Sequence, residues 1–180
     1  MSTSIPAGTY AIDPSHTEVS FTARHAMVTK VRGYFRDVEG QIVVADDFAA
    51  STANATMKVA SVDSGNADRD GHLKSADFFD ADTNPDITFV STGVKDVKGD
   101  DFVLVGDLTI KGITKPVEFK AEYEGTAQDP FGNTRIGFSA KTDVEREDWG
   151  LTWNAALETG GVLVSKKVTL TLDVSAIKQA

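Results

Sequence analysis

The sequence predicts an all-β domain, and three observations carry that prediction. Apolar and polar residues alternate with period two in run after run. Turns rich in Gly, Asp, Asn and Pro separate the runs. Helix-compatible segments are few: roughly 66–76, and one turn near 154–158. About eight or nine strands, each with one apolar face, must bury those faces together. A closed antiparallel barrel or a two-sheet sandwich does this. Runs near ten residues favour the barrel.

The first runs lie near 8–13 and 19–27, with Val19, Phe21, Ala23, His25 and Met27 lining one face of a long early strand. A further run covers 34–44. Ala53, Ala55, Met57 and Val59 then alternate with Thr52, Asn54, Thr56 and Lys58. The pattern breaks at Arg69–Asp80, a short charged helical stretch ending in the adjacent aromatics Phe78 and Phe79. Burying one Phe side chain is worth roughly 1.5–3 kcal/mol. The segment is therefore expected to cap an apolar opening, the mouth of a barrel. Strands resume near 86–94 and, after the Lys98-Gly99-Asp100 hairpin, 101–110. Lys111–Pro116 reads as a short loop delivering Pro116 to a strand start, where its missing N–H does least harm. Val117, Phe119, Ala121 and Tyr123 face opposite Glu118, Lys120 and Glu122. Beyond the Asp129–Asn133 turn come Ile136, Phe138 and Ala140, and finally Val168, Leu170, Leu172 and Val174. The apolar faces mix large side chains with Gly40, Ala23, Ala53, Ala55, Ala121 and Ala140. An eight-stranded barrel is just wide enough to be filled by side chains or to hold one small ligand, and small inward residues tilt the choice toward a cavity.

Composition narrows the function. The 180 residues suit one domain, expected to span 1–180. No cysteine is present, so there is no disulfide framework and no thiol chemistry. Asp and Glu number 27 against 18 Lys and Arg, a net charge of −9. That charge disfavours nucleic acid and adsorption to anionic membranes. No stretch is long and apolar enough for a transmembrane helix. The N-terminus lacks the basic and apolar regions of a signal peptide, which points to the cytoplasm. The three histidines, His16, His25 and His72, stand 9 and 47 residues apart, a spacing that matches no metal-ligand motif. Neither a Gly-x-Ser-x-Gly elbow nor a P-loop occurs.

Several segments together resemble one family. These are Tyr10–Phe21, Arg24-His25 with Val31–Phe35, Arg69–Asp80, Leu108–Val117, and Phe138–Ala140 followed by Arg146–Gly150. Their order over roughly 8–176 is similar to that of the YceI-like, lipocalin-like, polyisoprenoid-binding family. The resemblance implies an extended eight-stranded antiparallel lipocalin-like barrel with a short helix around 66–76. It also implies a non-enzymatic role: carriage or storage of a long isoprenoid lipid, a polyprenyl compound or isoprenoid quinone, with no other cofactor. Exported relatives make the periplasm the alternative location, and pairing into a homodimer is an alternative to a monomer, with Tyr34-Phe35 near its face.

Tunnel walls are expected from Phe21, Met27, Met57, Ile87, Phe89, Leu108, Phe119, Ile136, Phe138 and Leu170. Phe78, Phe79, Trp149 and Trp153 are expected at a rim or lid. His25 is the candidate anchor for a polar headgroup. Arg24, Arg69 and Arg146, close in sequence to Asp70, Asp77, Asp80 and Asp148, are expected to pair and hold the helix over the barrel. Two other readings remain: an enzyme using His25 and nearby carboxylates on a hydrophobic substrate, and an interaction module with a filled barrel.

Overall fold

The computed structural model describes residues 5–158 and 161–180. Eleven strands are named along the chain: β1 (Gly8–Ile12), β2 (Glu18–His25), β3 (Thr29–Phe35), β4 (Val38–Val44), β5 (Thr52–Lys58), β6 (Val62–Asp63), β7 (Asp86–Lys98), β8 (Asp101–Ile110), β9 (Ile113–Gln128), β10 (Thr134–Glu145) and β11 (Lys167–Lys178). Three pairs of these are single long strands interrupted by short irregularities. A 3₁₀ turn at Pro14–His16 divides β1 from β2, residues 36–37 divide β3 from β4, and a 3₁₀ turn at Val59–Ser61 divides β5 from β6.

So counted, eight antiparallel strands run up and down, each beside its sequence neighbour. β1 pairs with β4, and β2 with β3, as the two halves of one ladder. Closure comes from β11, which pairs with β1 at Ala11↔Ile177 and with β2 at Phe21↔Leu170. A closed ring leaves no long unpaired edge. It also turns every apolar face toward one interior, as on β9, where Val117, Phe119, Ala121 and Tyr123 are buried between exposed glutamates and lysine.

Two glycines let aromatic rings lie flat across neighbouring strands. A Cβ built on Gly33 would fall 2.2 Å from Cζ of Phe21, its direct cross-strand partner. One built on Gly106 would fall 2.4 Å from Cζ of Phe89 and 2.7 Å from the Val90 carbonyl oxygen. Such rings over glycine restore the packing that a missing side chain forfeits.

Helix α1 (Ala67–Lys74) starts where Asn66 accepts a hydrogen bond from the Arg69 N–H at 3.0 Å. Its tether differs from the expected ion pairs. Arg69 donates to the Ser64 hydroxyl and carbonyl oxygens at 2.8 and 2.6 Å, and Asp70 accepts from the Ser64 N–H and hydroxyl. One serine thus clasps the first turn from both signs of charge. Pro116 lies inside β9, opposite Asp107, and not at a strand start. There β9 has run past the end of its β10 pairing, which starts at Lys120, so no ladder donor is lost on that side. The helical turn expected near 154–158 is absent. That stretch carries an isolated bridge between Ala156 and Val162. Instead a 3₁₀ turn forms at Arg146–Trp149, closed by Gly150 at φ 74°.

Candidate functional site: the barrel interior

The interior is hollow in two adjoining places. A cavity of about 180 Å³ lies toward the helix end, between Phe21, Met57, Phe79, Phe119 and Leu170. A second, of about 110 Å³, continues toward the opposite end between Ile42, Val44, Phe102 and Phe138. Ile12, Ala55, Phe89, Leu172 and Val174 line both, so these five side chains form the partition. The walls expose almost no polar atom in either cavity. Space of this kind stays dry and takes apolar guests.

Strand alternation delivers most of this wall. Phe21, Met57, Ile87, Phe89, Leu108, Phe119 and Leu170 all line the larger cavity, and Phe138 the smaller. Ala23 lines the larger cavity, and Ala53, Ala121 and Ala140 the smaller, as space-leaving positions. Ile136 does not. It is fully buried in a separate cluster with Tyr10, Val44 and Ala176 at the end of the barrel remote from the helix.

The segment after α1 closes the opposite end. Phe79 meets Phe35 edge-on at 5.6 Å and Phe21 at 6.3 Å. Phe78 packs against Trp153 at 5.5 Å and His72 at 5.0 Å. Both phenylalanines are buried and touch the cavity, while Trp153 forms an outer layer over Phe78. Trp149 is buried as well, its indole N–H donating to the Leu108 carbonyl at 2.9 Å. Phe35 is turned into this aromatic stack, so it offers nothing to a surface for pairing.

Two expected wall residues lie elsewhere. The early strand ends at His25, and Met27 sits in the following turn, 56% exposed, with Ala26 and Met27 both at positive φ. Alternation cannot carry a side chain inward once the strand has turned. His25 is exposed at the strand end, bridged through its backbone to Val164. It does not line either cavity, so it is not placed to anchor a headgroup or catalyse a reaction there.

Arg146 is the residue whose place the sequence reading missed. It is almost wholly buried beside the larger cavity, yet makes no ion pair among the described residues. Its guanidinium donates to the carbonyls of Ser165 (2.8 Å), Leu151 (2.6 Å) and Val164 (3.4 Å) and lies 6.0 Å from the Phe78 ring centre. Burial lowers its pKa, with Glu147 acting the other way. The fork stitches the 146–151 turn to the 164–165 segment and leaves the cavity wall apolar. Asp148, two residues away in sequence, suggested an ion pair; only the folded loop shows the carbonyls that replace it.

The same architecture recurs among known proteins. The solved structure of Burkholderia cenocepacia BcnA superposes with a TM-score of 0.80 at 23% identity, covering 91% of this chain and 98% of that one. The Campylobacter jejuni YCEI protein gives 0.75 at 30% identity, covering 87% and 90%. A polyisoprenoid binding domain from Saccharophagus degradans gives 0.73 at 15% identity, covering 97% and 100%. In sequence, the UPF0312 protein SAS2572 of Staphylococcus aureus is 40% identical over 164 residues, 88% of this chain and 91% of that protein. The family model for the YceI-like domain matches residues 10–176. With the eight-stranded barrel, its helical cap and this match over nearly the whole chain, the protein belongs to the YceI-like family.

Proposed function

We propose that the protein binds an isoprenoid lipid, a polyprenyl compound or isoprenoid quinone, for carriage or storage and without catalysis. The observation that carries this reading is the pair of adjoining cavities whose walls expose almost no polar atom. Such a wall offers nothing to a charged or hydrogen-bonding head, so the hydrocarbon lies inside and any headgroup at a rim. Sheathing recovers roughly 0.8 kcal/mol per buried CH₂. A few isoprene units therefore outweigh several kcal/mol of lost freedom. The ligand named for the Saccharophagus degradans domain supports the same class.

The larger cavity slightly exceeds the roughly 150 Å³ that holds one benzene ring. The two together approach the roughly 300 Å³ at which small-molecule sites begin. A long tail must therefore part the five partition side chains. Organic extraction of natively purified protein, followed by mass spectrometry, is expected to release a prenyl compound. Repeated absence of any lipid, together with no uptake of added prenol, refutes the proposal.

A further inference from the structure

We propose that the β2–β3 hairpin docks the protein on an anionic lipid bilayer, seating its Met27–Val28 tip among the acyl chains and Arg24, Lys30 and Arg32 against the headgroups. The inference builds on the lipid-binding reading, because an isoprenoid cargo is collected from or delivered to a membrane.

The net charge of −9 hides a strong local asymmetry. Residues 19–36 contain Arg24, Lys30, Arg32 and Arg36 and no Asp or Glu. Arg36 is paired with Asp63. The other three are exposed and form no ion pair among the described residues. Ladder register puts them together: Arg24 faces Lys30, and Thr22 faces Arg32, on one side of the hairpin. The other side carries Phe21 and Ala23, which line the cavity. At physiological salt, charges more than about 8 Å away are largely screened. A surface approaching this hairpin therefore meets its cations before the acidic remainder.

The tip is apolar and unusually shaped. Met27 is 56% and Val28 73% exposed. Ala26 and Met27 have φ of 52° and 62°, a turn for which Asn and Gly are the unstrained residues. An exposed methionine is thus held out in a costly conformation. The turn is braced by the Ala26 N–H donating to the Leu163 carbonyl at 2.7 Å, next to Val164, which lines the larger cavity. Exposed apolar residues flanked by unpaired cations fit an anionic bilayer better than a nucleic acid, which would leave the tip without a partner.

The test is cosedimentation of the full-length protein with phosphatidylcholine vesicles, with and without phosphatidylglycerol. Binding is expected only with phosphatidylglycerol, weakening as salt rises. Removing one cation should weaken it about fivefold, and K30E/R32E should abolish it. In Val28→Trp, emission from the new indole should shift to the blue on binding. Equal binding to both vesicle types, no binding, or unchanged binding by K30E/R32E overturns the proposal. So does failure of the Val28→Trp emission to shift. Circular dichroism and prenol uptake by K30E/R32E separate the two readings. A folded variant that takes up prenol but not vesicles supports the hairpin. Wild-type protein that binds anionic vesicles yet never takes up prenol refutes the cargo and leaves the docking surface standing.

Discussion

Phe89→Ala removes the ring that stands between the two cavities. The side chain is 8% exposed, lines both spaces, and meets Phe119 edge-on at 5.6 Å. Truncating a buried Phe to Ala costs about 3–5 kcal/mol. Open space borders the ring on two sides, so it has fewer dispersion contacts to lose than a fully packed one. The edge-on pair with Phe119 contributes about 0.5–1.5 kcal/mol of the total. The expected loss is therefore near the lower bound, about 3 kcal/mol, in lipid-stripped protein. Equilibrium urea unfolding measures it, with the slope checked against wild type. Adding prenol at about 100 times its Kd should restore about 2.7 kcal/mol. The merged cavity should also accept longer prenyl chains than wild type does. A loss below about 1 kcal/mol at unchanged slope would refute the packing described. Unchanged chain-length preference would refute the partition.

Gly33→Ala drives a Cβ to 2.2 Å from the Phe21 ring; overpacking of this kind costs about 1–3 kcal/mol, and an unchanged urea midpoint would contradict it. Arg146→Met leaves the Ser165 and Leu151 carbonyls without their donor, while that of Val164 keeps the Asn154 amide at 2.8 Å, at about 1–3 kcal/mol for each acceptor left buried and unpaired. Faster amide exchange at 146–151, with the far end of the barrel unaffected, is the readout. Asp13 is held below its ordinary carboxylate range, first by its hydrogen bond to Arg135. Burial works to raise the pKa of Asp129, but N–H groups of Asn133 and Phe131 and the Arg135 guanidinium hold it at about 2. Both folded values lie below the unfolded value of about 3.9, so the stabilisation is full above about pH 5 and is lost progressively as pH falls to about 2 and below. Urea midpoints over that window should drop in wild type and flatten in Arg135→Gln.

Alternation alone determined which side chains face inward, because successive Cβ atoms point to opposite sides of a strand whatever it pairs with. Hence Phe119, Leu170 and Phe138 were legible as wall residues, and Phe78-Phe79 as a plug from the cost of leaving two rings wet. Where a strand stops is a different matter. The Ala26–Met27 turn carries no Gly, Asn or Pro to mark it, so Met27 reads as wall and stands in water. Ile136 reads like its neighbour Phe138, yet the end at which it is buried depends on Tyr10 and Ala176, far away in sequence. The partners of Arg146 are backbone carbonyls, and only the folded loop assembles them. Tertiary structure alone also decided that the interior is hollow and partitioned, since empty volume is what eight separate strands together fail to fill.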